Sequence, residues 1–264
     1  MQVAFRAIYT IWYREVLRLV RERSRIIGMI GQPLLYLVIV GQGISSAMGF
    51  RAAPPGLTLN YVQFMYPGIL AMSVLFTSVF SGISIIWDRE FGFLKEVLVA
   101  PVPRWATAIG KVLGGSTAAM IQAAILLLLA PVAQVSLQAL TIVKLVATLF
   151  LISLALTSFG VAIASRMETM EGFQMIMNFL IMPLYFLSGA MFPMQSVPRW
   201  MSLLMRLDPL TYGVDALRRI LFEVVDPRVL TFLVRYDLKL DLAILVLVTL
   251  GLGTFGTWSF SRQD

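Results

Sequence analysis

Long runs of apolar residues constrain the fold of this chain more than any single motif. Each of six runs is close to the ~20 residues that a helix needs to cross the hydrocarbon core of a membrane. They lie at residues 26–48, 64–87, 106–130, 142–164, 173–190 and 242–260. Only 13% of the residues are charged, whereas soluble domains contain about 25%. We therefore predict an all-α integral membrane protein, a single domain over residues 1–264 with six transmembrane helices.

The distribution of basic residues predicts how the spans are oriented. Arg and Lys are frequent before the first span and recur after spans two and four, while the short connections on the other side hold almost none. The last connection, residues 191–241, is also basic, but the rule weakens for long folded loops, and we place it outside. We expect a multi-pass protein of the cytoplasmic (inner) membrane of a prokaryote, with both termini in the cytoplasm. The net charge of +7 then reflects contact with membrane lipids, and no nucleic-acid partner is expected.

The sequence lacks the residue types that most enzyme and metal sites need. It contains no His and no Cys, which removes imidazole and thiolate nucleophiles and ordinary zinc ligands. We expect no catalytic residue and no metal site on this chain.

The predicted spans also lack an acidic relay for ion coupling. No Asp or Glu lies within them, and Lys111 and Lys144 are close enough to a span end to snorkel to the interface. A proton-driven carrier normally needs an ionisable group inside the membrane, so this class is disfavoured. A stand-alone secondary carrier or channel that uses hydroxyl groups such as those of Ser73 and Thr77 stays open as the alternative.

Residues 1–25 are predicted to form an amphipathic helix before the first span. At ~100° per residue, Phe5, Trp12 and Leu19 fall on one side, and a row of arginines falls on the other. That row includes Arg14, Arg18 and Arg21. Such a helix lies along the membrane surface with its aromatic side in the headgroup boundary and its arginines toward water or anionic lipid. It is either an anchor alone or a contact for a soluble subunit.

A charged, phenylalanine-rich segment, residues 88–104, separates spans two and three. Asp88 is placed to cap a short helix that begins at Arg89 and is ended by Pro101 and Pro103. Exposed aromatic residues rimmed by charges are typical of a docking surface, although a short helix in the headgroup layer has the same pattern. If the chain moves a substrate, the lack of an acidic relay in its spans means that the energy would have to arrive through another protein.

Residues 191–241 have the pattern of a structured cap rather than a linker. Apolar residues recur at helical spacing at Trp200, Leu203, Leu204 and Leu207, and a second helix is expected to begin at Pro209.

Several motifs point to one family. They are Tyr66-Pro67-Gly68-Ile69, Asp88-Arg89-Glu90 with Gly92, Leu98-Val99-Ala100-Pro101-Val102-Pro103-Arg104, Gly110-Lys111, Leu187-Ser188-Gly189-Ala190-Met191-Phe192-Pro193 and Asp208-Pro209-Leu210-Thr211-Tyr212-Gly213-Val214-Asp215-Ala216-Leu217-Arg218. With them the chain resembles the permease subunit of type-2 ATP-binding-cassette exporters, in the branch of daunorubicin-resistance and nodulation-factor export permeases. One departure is Asp208, where these permeases more often carry Asn.

The resemblance implies a division of labour between subunits. Two permeases, a homodimer or a pair with a sister permease, bind two separate ATPase subunits that carry ATP and Mg, so this chain itself needs no cofactor. Gly110-Lys111-Val112 lacks the upstream Gly and the hydroxyl of a phosphate-binding loop, which agrees with that division. ATP-driven closure then moves the spans by alternating access.

The resemblance also assigns roles to individual residues. The N-terminal helix, with Trp12, Arg14, Arg18 and Arg21, and a cytoplasmic coupling helix between spans two and three contact the ATPase. The coupling residues are Asp88, Arg89, Glu90, Phe91, Phe93, Leu94, Lys95 and Glu96. Re-entrant helices between spans five and six form an outer gate with Pro193, Trp200, Tyr212 and Asp215, or else only seal the outer face of the dimer.

Spans one, two and five, which meet at the dimer axis of the resembling family, carry aromatic residues that are candidates for the transport pathway. These residues are Tyr36, Phe76, Phe80, Phe179, Tyr185 and Phe186. Such a lining fits an amphipathic or lipid-linked substrate, whether a drug, glycolipid, polysaccharide or lipid, better than a small ion.

Overall fold

The computed structural model describes residues 2–41, 43, 61–92, 102–191, 194, 197–223, 230 and 233–261. Within these ranges the regular secondary structure is helical. The helices are α1 (Gln2–Arg21), α2 (Arg23–Leu35, continued by a π-helical turn at Tyr36–Val40), α3 (Tyr61–Phe80), α4 (Ile83–Glu90), α5 (Arg104–Leu128), α6 (Ala139–Ala164), α7 (Met170–Leu187), α8 (Arg199–Leu207), α9 (Pro209–Phe222) and α10 (Leu238–Ser261).

Five helical segments in the described part of the chain are long and apolar enough to cross a membrane. They are Tyr61–Glu90, Arg104–Leu128, Ala139–Ala164, Met170–Leu187 and Leu238–Ser259. This confirms the prediction of an all-α, multi-pass membrane protein. The apolar part of α2, Ile27–Val40, is shorter, and residues 42 and 44–48 of the predicted first span lie outside the described residues. The sixth span therefore stays a prediction.

Helix α3 forms the centre of the bundle. Its side chains are almost all buried, including Phe64, Tyr66 and Leu70, because α5, α6 and α9 pack around it. The Tyr66 hydroxyl donates a 2.9 Å hydrogen bond to the Leu126 carbonyl near the end of α5, which satisfies the one polar atom of this buried side chain. Helix α10 packs mainly against α6 on the outer side.

Pro33 in α2 leaves the carbonyl of Met29 without its usual N–H donor, and another helix supplies one. A proline at position 33 cannot donate to the carbonyl of Met29 four residues earlier. Gln122 of α5 donates its amide N–H to that carbonyl at 2.6 Å, and Thr77 of α3 donates to the oxygen of the same amide. Packing against neighbouring helices thus compensates for the proline at position 33.

The predicted cap at Asp88 is wrong. Helix α4 follows α3 after a short break at Ser81 and Gly82, so Asp88 lies in the last turn of α4 and not at the start of a new helix. Its carboxylate binds side chains from other helices, described below, and cannot act as a cap. The helix ends at Phe91, followed by Gly92 with φ of +80°, a left-handed conformation that favours glycine. Residues 93–101 lie outside the described residues.

The predicted start of α9 at Pro209 is confirmed. Asp208 precedes it and accepts a 2.9 Å hydrogen bond from the Leu210 N–H, while Pro209 occupies the first turn, where its missing N–H costs nothing. Helix α9 is buried against α6, α10 and α3. Helix α8, by contrast, leaves one side uncovered.

Candidate functional site

Four ionic side chains from three helices meet at one end of the bundle. Lys111 of α5 binds the carboxylates of Glu15 in α1, at 2.6 Å, and of Asp88 in α4. Arg14 of α1 also binds Asp88, and lies 3.1 Å from Glu15. Lys111 further donates to the Ser84 hydroxyl at 3.1 Å. We call Arg14, Glu15, Asp88 and Lys111 the ion cluster; its formal charges sum to zero.

Two glycines on α5 bring α1 close enough to complete this cluster. A Cβ atom at Gly110 would lie 2.9 Å from Cβ of Ile11, and one at Gly114 would lie 2.6 Å from Cβ of Glu15. Any larger residue would push α1 away, and with it Glu15. The four-residue spacing of these glycines thus permits close backbone approach between the two helices.

Lys111 does not snorkel, contrary to the sequence-based expectation. Its side chain is 2% exposed and is enclosed between α1, α4 and α5. The amine can remain buried because two carboxylates and a hydroxyl surround it, which replaces its lost hydration.

The electrostatics of the cluster favour the ionised forms of Glu15 and Arg14. Burial alone would raise the pKa of Glu15, but the attraction of Lys111 and Arg14 outweighs it and lowers that pKa below its ordinary value. Burial would likewise lower the pKa of Arg14, yet hydrogen bonding and attraction to Asp88, with a smaller effect of Glu15, raise it. The cluster is therefore a set of mutually dependent charges.

Helix α1 is packed onto the bundle and not free on a membrane surface. The Trp12 indole N–H donates to the Thr117 hydroxyl at 2.9 Å, and the Arg18 guanidinium lies 4.1 Å from the centre of the Trp87 ring. The prediction that the arginine row faces water or lipid is therefore wrong for Arg14 and Arg18, which instead contact Asp88 and Trp87 of α4. Arg21 remains exposed.

The predicted coupling residues divide into two groups. Asp88 and Arg89 turn inward; Arg89 donates to the carbonyls of Ser165 and Met167, just beyond the end of α6. Glu90 and Phe91 point outward, and Phe91 is 79% exposed. We call these two the α4 tip. Phe93, Leu94, Lys95 and Glu96 lie outside the described residues.

A cavity of about 510 Å³ lies between α1 and α4, beside the tip. Its lining is mostly charged and comprises Arg14, Leu17, Arg18, Arg21, Glu22, Trp87 and Asp88. The cavity shares Arg14 and Asp88 with the ion cluster, and Asp88 stands two residues before the tip.

The predicted pathway residues do not form one group. Phe76 and Phe80 stack with ring centres 6.2 Å apart and line a cavity of about 410 Å³ between α2, α3 and α5. No charged residue is among the described residues that line this cavity. The other four lie elsewhere: Tyr36 is half-buried, Tyr185 is buried, and Phe179 and Phe186 are exposed on the surface of α7.

Two of the four predicted gate residues, Tyr212 and Asp215, form hydrogen bonds within the fold. The Tyr212 hydroxyl donates to the Arg206 carbonyl at 2.8 Å, and Asp215 accepts the N–H groups of Arg235 and Tyr236 at 2.8–3.1 Å. Burial raises the pKa of Asp215 despite these hydrogen bonds. Trp200 is 66% exposed on α8, and Pro193 lies outside the described residues.

Comparison with known families decides the assignment. The family model for ABC-2 type transporters matches residues 6–222, which includes the ion cluster, the α4 tip, most of α1 and helices α2 to α9. This chain belongs to the ABC-2 type transporter family. The family recognised from the motifs is thereby confirmed, while the exporter branch stays a prediction.

Relatives of this ABC-2 transporter carry permease names. It is 31% identical to the putative transport permease ycf38 of Cyanophora paradoxa over 80% of this chain and 72% of the relative. It is 26% identical to the inner membrane transport permease YadH of Escherichia coli over 88% and 90% of the two chains. It is 28% identical to the probable multidrug ABC transporter permease YbhR of Escherichia coli over 61% of this chain and 44% of that protein. The chain is a transport permease, the membrane component of its family.

Sequence reasoning missed Glu15 and Gln122 of this ABC-2 permease, and it placed Lys111 at the interface instead of in the ion cluster. Glu15 is an acidic residue in a row of arginines, and Lys111 is a charge within a span; each is a signal of a buried partner. Gln122 is an amide in an apolar helix, a signal that it satisfies another polar group. None of the three signals identifies the partner.

Proposed function

We propose that this permease is the transmembrane subunit of an ATP-driven exporter. In this proposal a separate ABC ATPase subunit docks at the α4 tip and the cavity beside α1, and supplies ATP and Mg. Two copies of the chain, or this chain with a sister permease, enclose the pathway. Both termini and the α4 tip face the cytoplasm, and the membrane is the inner membrane of a prokaryote.

The observation that carries this proposal is that the exposed α4 tip directly follows two residues, Asp88 and Arg89, that bind other helices. Phe91 is 79% exposed, which is costly in water and typical of a residue that a partner covers. Three residues before it, Asp88 binds α1 and α5, and Arg89 binds the connection between α6 and α7. Movement of the tip would therefore be transmitted to α1, to α5 and to the connection between α6 and α7.

The cavity beside Phe76 and Phe80 supports the substrate class. Its walls are apolar, with hydroxyl and amide groups of Ser73, Thr77 and Gln122 among them and no charged group in the described lining. Such a surface favours an amphipathic molecule, whose apolar body contacts the aromatic rings. Drugs and lipid-linked molecules both belong to this class.

The proposal is tested by the double substitution Glu90→Lys and Phe91→Ala. The chain is reconstituted into liposomes with the ATPase subunit co-expressed from its own operon, and a fluorescent amphipathic dye is the transport probe. We expect dye export to fall at least about ten-fold, and ATP hydrolysis to become independent of the dye. The variant is still expected to insert in the membrane, because both substituted side chains are exposed and neither supports the fold.

A matched control is the pair Glu223→Lys and Leu128→Ala, an exposed acid and an exposed apolar residue at the opposite end of the bundle. The control is expected to retain coupled transport. Full transport by the Glu90→Lys and Phe91→Ala variant contradicts the docking surface. Dye movement in liposomes that contain neither ATP nor an ATPase subunit supports the stand-alone carrier or channel instead.

A further inference from the structure

Three arginines surround a cavity beside α8 that none of the predicted functions uses. The cavity has a volume of about 490 Å³, and its polar lining consists of Arg199, Ser202, Arg206 and Arg235. No acidic residue is among the lining residues, and within the described part of the chain these arginines form no ion pair. The cavity thus brings three arginines together with no acidic side chain in its described lining.

The backbone at two of these arginines is held by buried side chains. Asp215, which is 7% exposed, accepts the Arg235 N–H with both carboxylate oxygens at 3.1 Å. Tyr212, which is 8% exposed, donates its hydroxyl to the Arg206 carbonyl at 2.8 Å. Arg199 stands seven residues before Arg206 on α8, which places both on the same side of the helix. The charges therefore converge because the fold fixes their positions.

An uncovered apolar stripe runs along α8 next to the cavity. Trp200, Leu203 and Leu207 are 66%, 61% and 77% exposed, and Leu203 also lines the cavity. A helix with an apolar stripe beside a row of arginines is typical of a segment that lies in the headgroup layer, with its apolar side chains among the acyl chains.

The position of α8 in the fold agrees with a location at the membrane surface. Helix α7 begins at Met170, which accepts a hydrogen bond from Trp87 near the ion cluster, and ends at Leu187, whose carbonyl accepts from Thr211 of α9 at 3.2 Å. Its 18 residues span about 27 Å, close to the thickness of the hydrocarbon core. Helices α8 and α9 therefore lie at the opposite membrane face from the ion cluster.

We propose that the cavity formed by Arg199, Arg206 and Arg235 binds the phosphate of an anionic phospholipid whose acyl chains lie along Trp200, Leu203 and Leu207. A free anion would use the arginines but leave the apolar stripe uncovered, whereas a phospholipid satisfies both surfaces at once. The inference goes beyond transport itself, since neither ATP nor a partner chain enters it. It adds a lipid site that anchors the α8–α9 cap at its membrane face.

The test measures lipid binding to the purified full-length chain in detergent by native mass spectrometry. Palmitoyl-oleoyl-phosphatidylglycerol and palmitoyl-oleoyl-phosphatidylcholine are the probes, and we expect the wild type to prefer phosphatidylglycerol by about ten-fold or more. Removing one arginine near a membrane surface weakens binding of anionic lipid by about five-fold, so Arg199→Gln with Arg206→Gln is expected to weaken it by about thirty-fold. Binding of phosphatidylcholine is expected to stay unchanged.

Two further arms make the result specific. Lys239→Gln removes one exposed positive charge from the first turn of α10, outside the cavity lining, and is expected to keep the preference of the wild type. Inorganic phosphate at the same concentration is expected not to displace phosphatidylglycerol. Displacement by phosphate identifies a free-anion site and overturns the proposal. So does an unchanged affinity for phosphatidylglycerol in the double variant, provided that its elution volume shows the fold is intact.

Discussion

Replacing Lys111 by Met tests whether the ion cluster stabilises the permease. Methionine is unbranched and close to lysine in length, so it fills the same space between α1, α4 and α5 without the charge. The substitution leaves Glu15 and Asp88 with Arg14 as the only cation of the cluster. A carboxylate that loses its partner in a buried position cannot regain its hydration.

The expected loss of stability follows from the burial of the pair. Lys111 and its two carboxylate partners are 2%, 12% and 9% exposed, so solvent screens their interaction only weakly. Removing one partner of a buried ion pair costs about 3–5 kcal/mol. Lys144, paired with Glu223 at 2.8 Å but with side chains 36% and 51% exposed, is the matched control, and Lys144→Met is expected to cost less than about 1 kcal/mol.

A second substitution separates charge balance from packing. In Lys111→Met with Glu15→Gln, Arg14 and Asp88 remain as one neutral pair, so the added substitution removes an uncompensated charge. We expect the double variant to be more stable than the sum of the two single losses indicates, by about 1–3 kcal/mol. This recovery is specific to a charge interaction, because a packing defect at Lys111 is not repaired by a change in Glu15.

The free energy of unfolding is measured by titration with sodium dodecyl sulfate in mixed micelles. Tryptophan fluorescence is a suitable signal because two tryptophans report on the packing of α1: the Trp12 indole donates to Thr117 of α5, and the Trp87 ring lies against Arg18 of α1. The reasoning is refuted if Lys111→Met costs no more than Lys144→Met. It is also refuted if the two single losses add up within about 0.5 kcal/mol, since coupled charges do not behave independently.

Three other predictions follow from buried polar groups. Burial raises the pKa of Asp208 from 3.8 to about 7, so ionising this carboxyl in the folded protein lowers stability as pH rises through that interval. Asp208→Asn keeps the helix cap but cannot ionise. It is expected to raise the free energy of unfolding by up to about 4 kcal/mol at pH 8, and by little at pH 4. Gln122→Ala leaves the Met29 carbonyl unpaired and is expected to cost about 1–2 kcal/mol by the same titration, but less when Pro33→Ala restores an N–H to that carbonyl. Because the pKa of Glu15 is lowered in the fold, its contribution is present above pH 4.5 and is lost as pH falls from there through the lowered pKa. Acid is therefore expected to expose α1 to proteolysis, and Glu15→Gln is expected to reduce this pH dependence.

Length and composition predicted the helices of this fold well because crossing a membrane is a local requirement. A span needs about 20 apolar residues in sequence, and no distant contact changes that need. The predicted spans 106–130, 142–164, 173–190 and 242–260 agree with α5, α6, α7 and α10 to within four residues at each end. The start of α9 was equally accessible, since Asp208 and Pro209 are adjacent in the sequence.

The partners of charged side chains were not accessible in the same way. Asp88 carries a local signal for a helix cap, yet Arg14 and Lys111 attract its carboxylate from positions 74 residues before and 23 residues after it. The same holds for Arg89: its partners are backbone carbonyls, which every residue has, so no residue type in the sequence marks them. The predicted coupling residues could therefore be grouped by motif, but which of them are buried and which are exposed depends on how the helices pack.

The ion cluster also sets an order on the assembly of the protein during synthesis. Glu15 precedes its partner Lys111 by 96 residues, so the ribosome has finished α1 well before α5 exists. Until then the charges of α1 have no buried partner, and only the headgroup layer or water can solvate them. The amphipathic pattern of α1 therefore suits two successive environments. The nascent helix first lies on the membrane surface, and it packs onto the bundle only after α4 and α5 have inserted.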